Sequence, residues 1–239
     1  MQSKESGKTL IVIPTYNERE NISKLAKTIL NISDNISILI VDDESPDGTG
    51  KVADELARES SRIRVIHRKG KGGRGSACVE GFKEALKGEY DYIMEMDADF
   101  SHNPEEIPLL LSKIRSYDFV IGSRYLDESE IRDWGIGRRI FSKLANLYAK
   151  MVLGIPISDY TNGYRIYRKK VLDDMDFERI KSKGFIVLSE MAYQLYRKGY
   201  SIGEIPTLFI NRKRGKSNLS FQEIYSAFTG ILKVKKRYL

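Results

Sequence analysis

Residues 90–102 read YDYIMEMDADFSH, and this stretch decides the fold. Tyr92, Ile93, Met94 and Met96 form a short, mainly apolar run of the kind carried by a strand buried on both faces, interrupted by Glu95. The run ends in Asp97-Ala98-Asp99. In an extended backbone residues i and i+2 point the same way, so the two carboxylates converge at the strand's end. Converging carboxylates repel unless a cation lies between them, and the fitting occupant is a hard divalent ion. Magnesium takes one or two protein carboxylates and fills its shell from substrate phosphates and water, so the pattern predicts a diphosphate-bearing substrate. Asn103-Pro104 then reads as a helix start, a cap followed by proline, with Glu105 and Glu106 in the first turn. Taken alone, Asp-x-Asp fits a solvated turn equally well; the rest of the chain supplies the context.

Working outward, Thr9 to Ile13 predicts a buried strand, and Ile22, Leu25 and Ile29 share one face of the helix behind it, with Asn17 as its cap. Ile36 to Val41 predicts a second strand, also ending in acid at Asp42-Asp43, and Ile63 to Ile66 a third, followed by the glycine-rich segment 70–75. That segment matches neither the spaced dinucleotide fingerprint nor a phosphate-binding loop. Strands alternating with helices predict a mainly parallel sheet whose ligands bind outside the strands' carboxyl ends. Asp118 to Ile121 is a further strand and Ile205 to Ile210 a late one. Between them, Ile136, Ile140, Leu144, Leu147 and Met151 line one face of a long helix, with Arg139, Lys143, Asn146 and Lys150 on the face opposite. Core packing accounts for such a stripe more readily than a membrane contact.

Composition narrows the function. The single cysteine, Cys78, excludes an intramolecular disulfide, and two histidines, His67 and His102, exclude a histidine-rich zinc site. No apolar run reaches the length of a membrane span and no leader precedes Leu10, which predicts a chain without span or signal peptide. Net charge is +7, unevenly spread: residues 1–130 carry 18 Lys+Arg against 24 Asp+Glu, residues 131–239 carry 22 against 9. The basic half calls for an anionic partner: a phosphorylated substrate, an anionic lipid surface or nucleic acid. A nucleic-acid module would need basic residues interleaved with aromatic platforms, and it gives no reason for acidic turns at strand ends.

The segments PTYNE (14–18), DDESPDGT (42–49), DADFSHNPE (97–105), GSRY (122–125), DYTNGYR (159–165) and RKRGKS (212–217) together resemble dolichyl-phosphate mannose synthases. These are inverting glycosyltransferases with the GT-A nucleotide-sugar-binding fold. The resemblance covers nearly the whole chain in order. It implies one catalytic domain over 1–239, with 8–130 as the nucleotide-sugar half and 131–239 as the acceptor- and membrane-facing half. It implies a GDP-mannose donor, a dolichyl or other polyprenyl phosphate acceptor, and Mg2+ or Mn2+. Pro14, Tyr16, Glu18, Gly75 and Ala98 would line the nucleotide, and Asp43 or its neighbour Asp42 would hold the base. Asp97 and Asp99 match the metal and diphosphate motif, while Ser101 stands where some members have a glutamine ligand. Arg124 and Arg212 match arginines near the donor and acceptor phosphates, with Arg138, Arg139, Arg165, Lys216 and Ser217 as further acceptor contacts. Asn218 stands where a lysine commonly follows the serine. Polyprenyl-phosphate glucose transferases, which use UDP-glucose, share most of these motifs, so the sugar is the open choice.

The chemistry agrees. A sugar hydroxyl acceptor needs a base, whereas a phosphate monoester, with a second pKa near 6, is already mostly dianionic at neutral pH and needs cations. A nucleotidyltransferase would also use metal and diphosphate but has no need of a basic half. The expected setting is the cytoplasmic face of a membrane, bound peripherally through its anionic surface by amphipathic stretches and the Lys233–Arg237 tail, with a small anchor protein as a further candidate partner.

Overall fold

A strand apolar at every position must be covered on both sides. In the computed structural model, which describes residues 7–211 and 221–238 (side chains of 221–227 excepted), such strands form the middle of one sheet. β1 (Thr9–Thr15) pairs in parallel with β2 (Ile36–Asp42), and β2 with β3 (Ile63–His67). On its other side β1 pairs in parallel with β4 (Tyr92–Glu95). Then come β7 (Arg165–Arg168), antiparallel to both neighbours, β5 (Phe119–Ser123), and β8 (Ile202–Pro206), parallel to β5. The order is 3-2-1-4-7-5-8, mainly parallel as expected.

Alternation along β1 splits the core. Leu10 and Val12 enter one cluster with residues of α3 (Arg74–Leu86), α5 (Ile136–Leu153), α7 (Ile186–Arg197) and α8 (Phe221–Tyr238). Ile11 and Ile13 enter the other, with α1 (Arg19–Leu30), α2 (Thr49–Glu59) and α4 (Ile107–Lys113). Each fully buried side chain of this kind contributes about 1.5–3 kcal/mol. Helix α3 lies so close to β1 that a Cβ on Gly81 would collide with Val12. Asn103 caps as expected: its Oδ1 accepts from Glu105 N at 3.1 Å, with Pro104 next in the turn that leads into α4.

Three expectations change. The late strand is two strands: β8 stays in the large sheet, whereas β9 (Leu208–Ile210) pairs with the short β6 (Glu130–Arg132) in a separate two-stranded sheet. Pro206 lacks a backbone donor, and buried Thr207 turns the chain between the sheets, its N–H donating to Ser123 O. The cap of α1 is Glu18, while Asn17 takes a left-handed φ of 61° just before it. The third change concerns α5, whose five-residue apolar stripe faces outward. What α5 buries is the side bearing Asn146, Ala149 and Leu153, and Asn146 is fixed there because its Oδ1 accepts from Tyr160 N at 2.7 Å. Arg139, Lys143 and Lys150 are exposed beside the stripe.

Candidate active site

Because β1 to β5 and β8 run the same way, their carboxyl ends share one edge, and the acidic turns read from sequence gather there. Each acid is held differently. Asp42 closes its own turn, accepting from Thr15 Oγ1 (3.0 Å), Ser45 N (3.1 Å) and Ser45 Oγ (2.6 Å). Asp43 ties down the glycine-rich segment: it accepts from Gly73 N at 2.7 Å and pairs with Arg68, while Gly70 N donates to Glu44 at 2.7 Å. Lys71, in the same segment, places its ammonium 3.8 Å from the centre of the Tyr16 ring. The expected base-binding acids, the glycine turn and Tyr16 thus form one corner, with Pro14 at the end of β1 and Glu18 beside Thr49, whose Oγ1 accepts from Glu18 N at 2.9 Å. Gly75 has a packing reason of its own, since a Cβ there would lie 2.7 Å from Val187 Cγ2.

The second corner is the Asp97 turn. Arg74, at the start of α3, reaches across to it: Nε donates to Asp97 Oδ1 at 2.5 Å, NH1 to Glu95 Oε2 at 3.1 Å and NH2 to Gly163 O at 3.0 Å. Glu95 is fully buried and also accepts from Tyr167 OH at 3.1 Å. The charge that interrupted the apolar run is therefore a buried anion that requires its cation. Burial pushes the Asp97 carboxyl up, but the charge and hydrogen bond of Arg74 outweigh it and hold Asp97 below the ordinary carboxylate value. Burial likewise opposes the charge on Arg74, yet Asp97 and Glu95 hold its proton more firmly than in water.

His102 braces the turn from behind. Its Nδ1 accepts from Asp97 N at 3.1 Å, so the proton sits on Nε2, which donates to Asn162 Oδ1 at 2.8 Å; Asn162 Nδ2 in turn donates to Gly122 O at 2.5 Å. The ring is buried and stacks on Tyr164 at 4.8 Å. His102 thus joins the ends of β4 and β5 as a strut.

Asp99 accepts from Ser101 N at 3.0 Å, and the Ser101 hydroxyl is buried with no hydrogen-bond partner. Among the described residues no three His, Cys, Asp or Glu side chains gather as a protein-only metal cage. Two carboxylates on one turn, with a buried unsatisfied hydroxyl two residues after the second, are instead the kind of partial oxygen set that a diphosphate-bound Mg2+ or Mn2+ uses, so these residue types fit such an ion. Asp97 Oδ1 is occupied by Arg74, which leaves Oδ2, 3.9 Å from His102 Nε2, as that residue's donor to an ion.

The expected phosphate-binding arginines divide. Arg124 is buried and bidentate on Asp159 (2.7 and 2.8 Å), donates also to Thr161 Oγ1, and lies 5.5 Å from the Trp134 ring centre; it contributes to the field at Asp97. Arg165 is fully buried, and its guanidinium donates to three carbonyls, those of Asn162, Leu188 and Tyr160. That places Arg165 in the core rather than at the acceptor position expected of it, because its donors are spent on buried backbone carbonyls. Arg138 stacks on Trp134 at 4.1 Å and donates to Asn211 Oδ1 at 2.9 Å; Arg139 is exposed, donating to Ile131 O at 2.6 Å. Arg212, Lys216 and Ser217 lie outside the described residues.

Sequence reasoning missed Arg74, Glu95 and Asp159. The signals were a cation inside a glycine run, a charge inside an apolar strand, and an acid three residues before the Asn-Gly of the 159–165 segment.

A mainly parallel sheet whose carboxyl edge collects a glycine-rich turn, Tyr16 under Lys71 and the Asp97–Asp99 turn is the architecture of an α/β enzyme that takes its ligand at the strand ends. The chain belongs to glycosyl transferase family 2, matching it over residues 10–176. It is 41% identical over 92% of its length to a polyprenol monophosphomannose synthase of Mycolicibacterium smegmatis, covering 84% of that protein. It is 39% identical to an undecaprenyl-phosphate mannosyltransferase of Micrococcus luteus, covering 89% of this chain and 88% of the other. In fold it is similar to glucosyl-3-phosphoglycerate synthase of Mycobacterium tuberculosis, solved with Mn2+, UDP and phosphoglyceric acid (TM-score 0.68, 17% identity, 97% of this chain and 78% of that one). It is also similar to a mannosyltransferase of Pyrobaculum calidifontis with GDP-Man and Mn2+ (TM-score 0.57, 14% identity, 97% and 74%). The GT-A fold expected from the motifs is the fold observed.

Proposed function

We propose that the enzyme transfers mannose from GDP-mannose to a polyprenyl phosphate, dolichyl phosphate among them, with inversion at the anomeric carbon. The observation that carries this reading is the Asp97–Ser101 turn: two carboxylates and an unsatisfied hydroxyl at the carboxyl end of β4, on the edge that also holds Tyr16 and Asp43. The two bacterial relatives, both named for mannosyl transfer to a polyprenyl carrier, support the sugar and the acceptor class.

Asp97 through Oδ2, Asp99 and the Ser101 hydroxyl would hold Mg2+ or Mn2+. When bound, the ion neutralises the charge that develops on the departing nucleoside diphosphate. Arg74 fixes the Asp97 carboxylate by its Oδ1, and Glu95 behind it keeps Arg74 in place. Tyr16 and the segment tied to Asp43 receive the nucleoside. The acceptor brings its own negative charge, so the protein has to aim it and exclude water; Arg138 and Arg139 stand at that side, and Arg212, Lys216 and Ser217 take the same role by the resemblance of their motif. The lipid acceptor requires the enzyme to work at a membrane surface. Among the described residues no helix is long and apolar enough to cross a membrane.

Incubation with a polyprenyl phosphate and either GDP-mannose or UDP-glucose, read by mass spectrometry of the lipid, tests the proposal. A mannosyl lipid formed from GDP-mannose alone is expected. A glucosyl lipid formed in its place would move the assignment to the glucose transferases, and sugar release without a lipid product would overturn it.

A further inference from the structure

A fully buried carboxylate and a carboxylate of the transfer site share one guanidinium. Arg74, the first residue of α3, has a side chain 17% exposed and donates to Asp97 Oδ1 at 2.5 Å, Glu95 Oε2 at 3.1 Å and Gly163 O at 3.0 Å. Its place is shaped from several sides. A Cβ on Gly163 would lie 1.8 Å from Arg74 NH2, so the 159–165 segment closes on the guanidinium and leaves no room for a side chain there. Glu95, behind it, is held in turn by Tyr167 OH at 3.1 Å.

The local charge is nearly balanced. Glu95, Asp97 and Asp99 bring three carboxylates to the end of β4 and the turn after it, and Arg74 supplies one positive charge from α3. What remains is the charge that one divalent ion cancels. Arg124 also acts on Asp97, but its own charge is matched by Asp159. A guanidinium keeps its proton at any working pH, so Arg74 is a permanent cation beside the carboxylate whose Oδ2 would face the ion. In a partly buried site, charges this close interact by much more than they would in water. Arg74 therefore repels an arriving divalent cation and attracts an arriving diphosphate.

We infer that Arg74 is an internal counter-ion that divides the site's affinity between its two ligands: it weakens binding of the divalent ion alone and strengthens binding of the nucleoside diphosphate alone, so that the ion is held firmly only together with the diphosphate. This role rests on the reading of Asp97, Asp99 and Ser101 as the ion's partners, and it goes beyond holding Asp97 in place. A strut would serve both ligands in the same direction. A counter-ion serves them in opposite directions, because the two carry opposite charge.

Free Mn2+ read by electron paramagnetic resonance, and GDP binding read by calorimetry, follow the two ligands separately with no sugar or lipid present. In Arg74→Leu, Mn2+ alone should bind at least about tenfold more tightly, and GDP in excess chelator at least about fivefold more weakly. Arg74→Lys, which keeps the charge, should stay closer to the native protein on both counts. Leu leaves Glu95 buried without its cation, so Arg74→Leu/Glu95→Gln is measured beside it, with circular dichroism as the check on folding; the double variant should move both affinities in the same two directions. Unchanged affinities in whichever variant folds, or Mn2+ and GDP weakened together, overturn the inference and reduce Arg74 to a strut, while leaving the transferase reading in place. A native protein that binds neither Mn2+ nor GDP would sink the transferase reading and the counter-ion with it.

Discussion

The two halves of the carboxyl edge handle charge in opposite ways. On the β1–β4 side the acids stand at strand ends, each restrained by a cation or a turn, and Asp97 gives Oδ1 to Arg74 while keeping Oδ2. On the β5–β8 side the cations are drawn inward, Arg124 onto Asp159 and Arg165 onto three backbone carbonyls. A surplus of basic residues in sequence is therefore a poor count of the charge available to a phosphate. In the second half part of that surplus is structural, and the exposed remainder includes the flank of α5.

The largest effect should come from Arg165. Arg165→Ala would remove a fully buried guanidinium and its three hydrogen bonds to backbone carbonyls, at about 1–1.5 kcal/mol each, so urea denaturation should show a loss of about 4 kcal/mol. Arg139→Ala, at an exposed position, should stay within about 0.5 kcal/mol of the native protein. If Arg165→Ala instead keeps its stability and loses acceptor affinity, the contrast between the two sides is wrong and Arg165 is an acceptor contact after all.

Asp97→Asn comes next. It keeps shape but removes a charge that faces the departing diphosphate, and losing one such contact costs about 3 kcal/mol of transition-state stabilisation, on the order of a hundredfold in kcat. Steady-state kinetics beside a thermal melt checks this. Full turnover in Asp97→Asn, or in the native enzyme with excess chelator, would show that the β4 end is a solvated turn.

Acid sharpens the contrast with a smaller effect. Burial alone would raise the Asp159 carboxyl, but Arg124's charge and hydrogen bonds prevail and hold it below its ordinary 3.8. A depressed carboxylate contributes stability that is complete above the unfolded value and disappears as pH falls through the lower folded value. Since Arg124 keeps its proton throughout, melting temperature should drop as pH is taken below about 4, and Asp159→Asn, less stable at neutral pH, should flatten that drop. An equally steep drop in Asp159→Asn would assign the acid sensitivity to other carboxylates.

What the sequence made legible follows the same division. Strands β1, β2 and β4 could be read because mainly apolar runs, two of them leading into acids, are a local pattern, and the common edge of their ends follows from a parallel sheet. Periodicity picked out the α5 stripe but could not say what it faces, because a helix has the same period whether its apolar side meets a core or a lipid. The Arg74–Glu95 and Arg124–Asp159 pairs join residues 21 and 35 positions apart, a spacing no local pattern encodes. The break between β8 and β9 falls just after Pro206, the last residue paired with β5, inside a run of residues 205–210 that reads as continuous.

The central claim is that the nucleophile is a phosphate that supplies its own charge, so that the enzyme needs no general base. Turnover measured from pH 5 to 9 with saturating GDP-mannose, comparing a polyprenyl phosphate with the corresponding polyprenol, tests it most directly. Product is expected from the phosphate only, with a rate that rises through a single ionisation near 6 and then stays level. Comparable transfer to the polyprenol, or a rate governed by the pKa of a carboxylate that holds no metal, would contradict it.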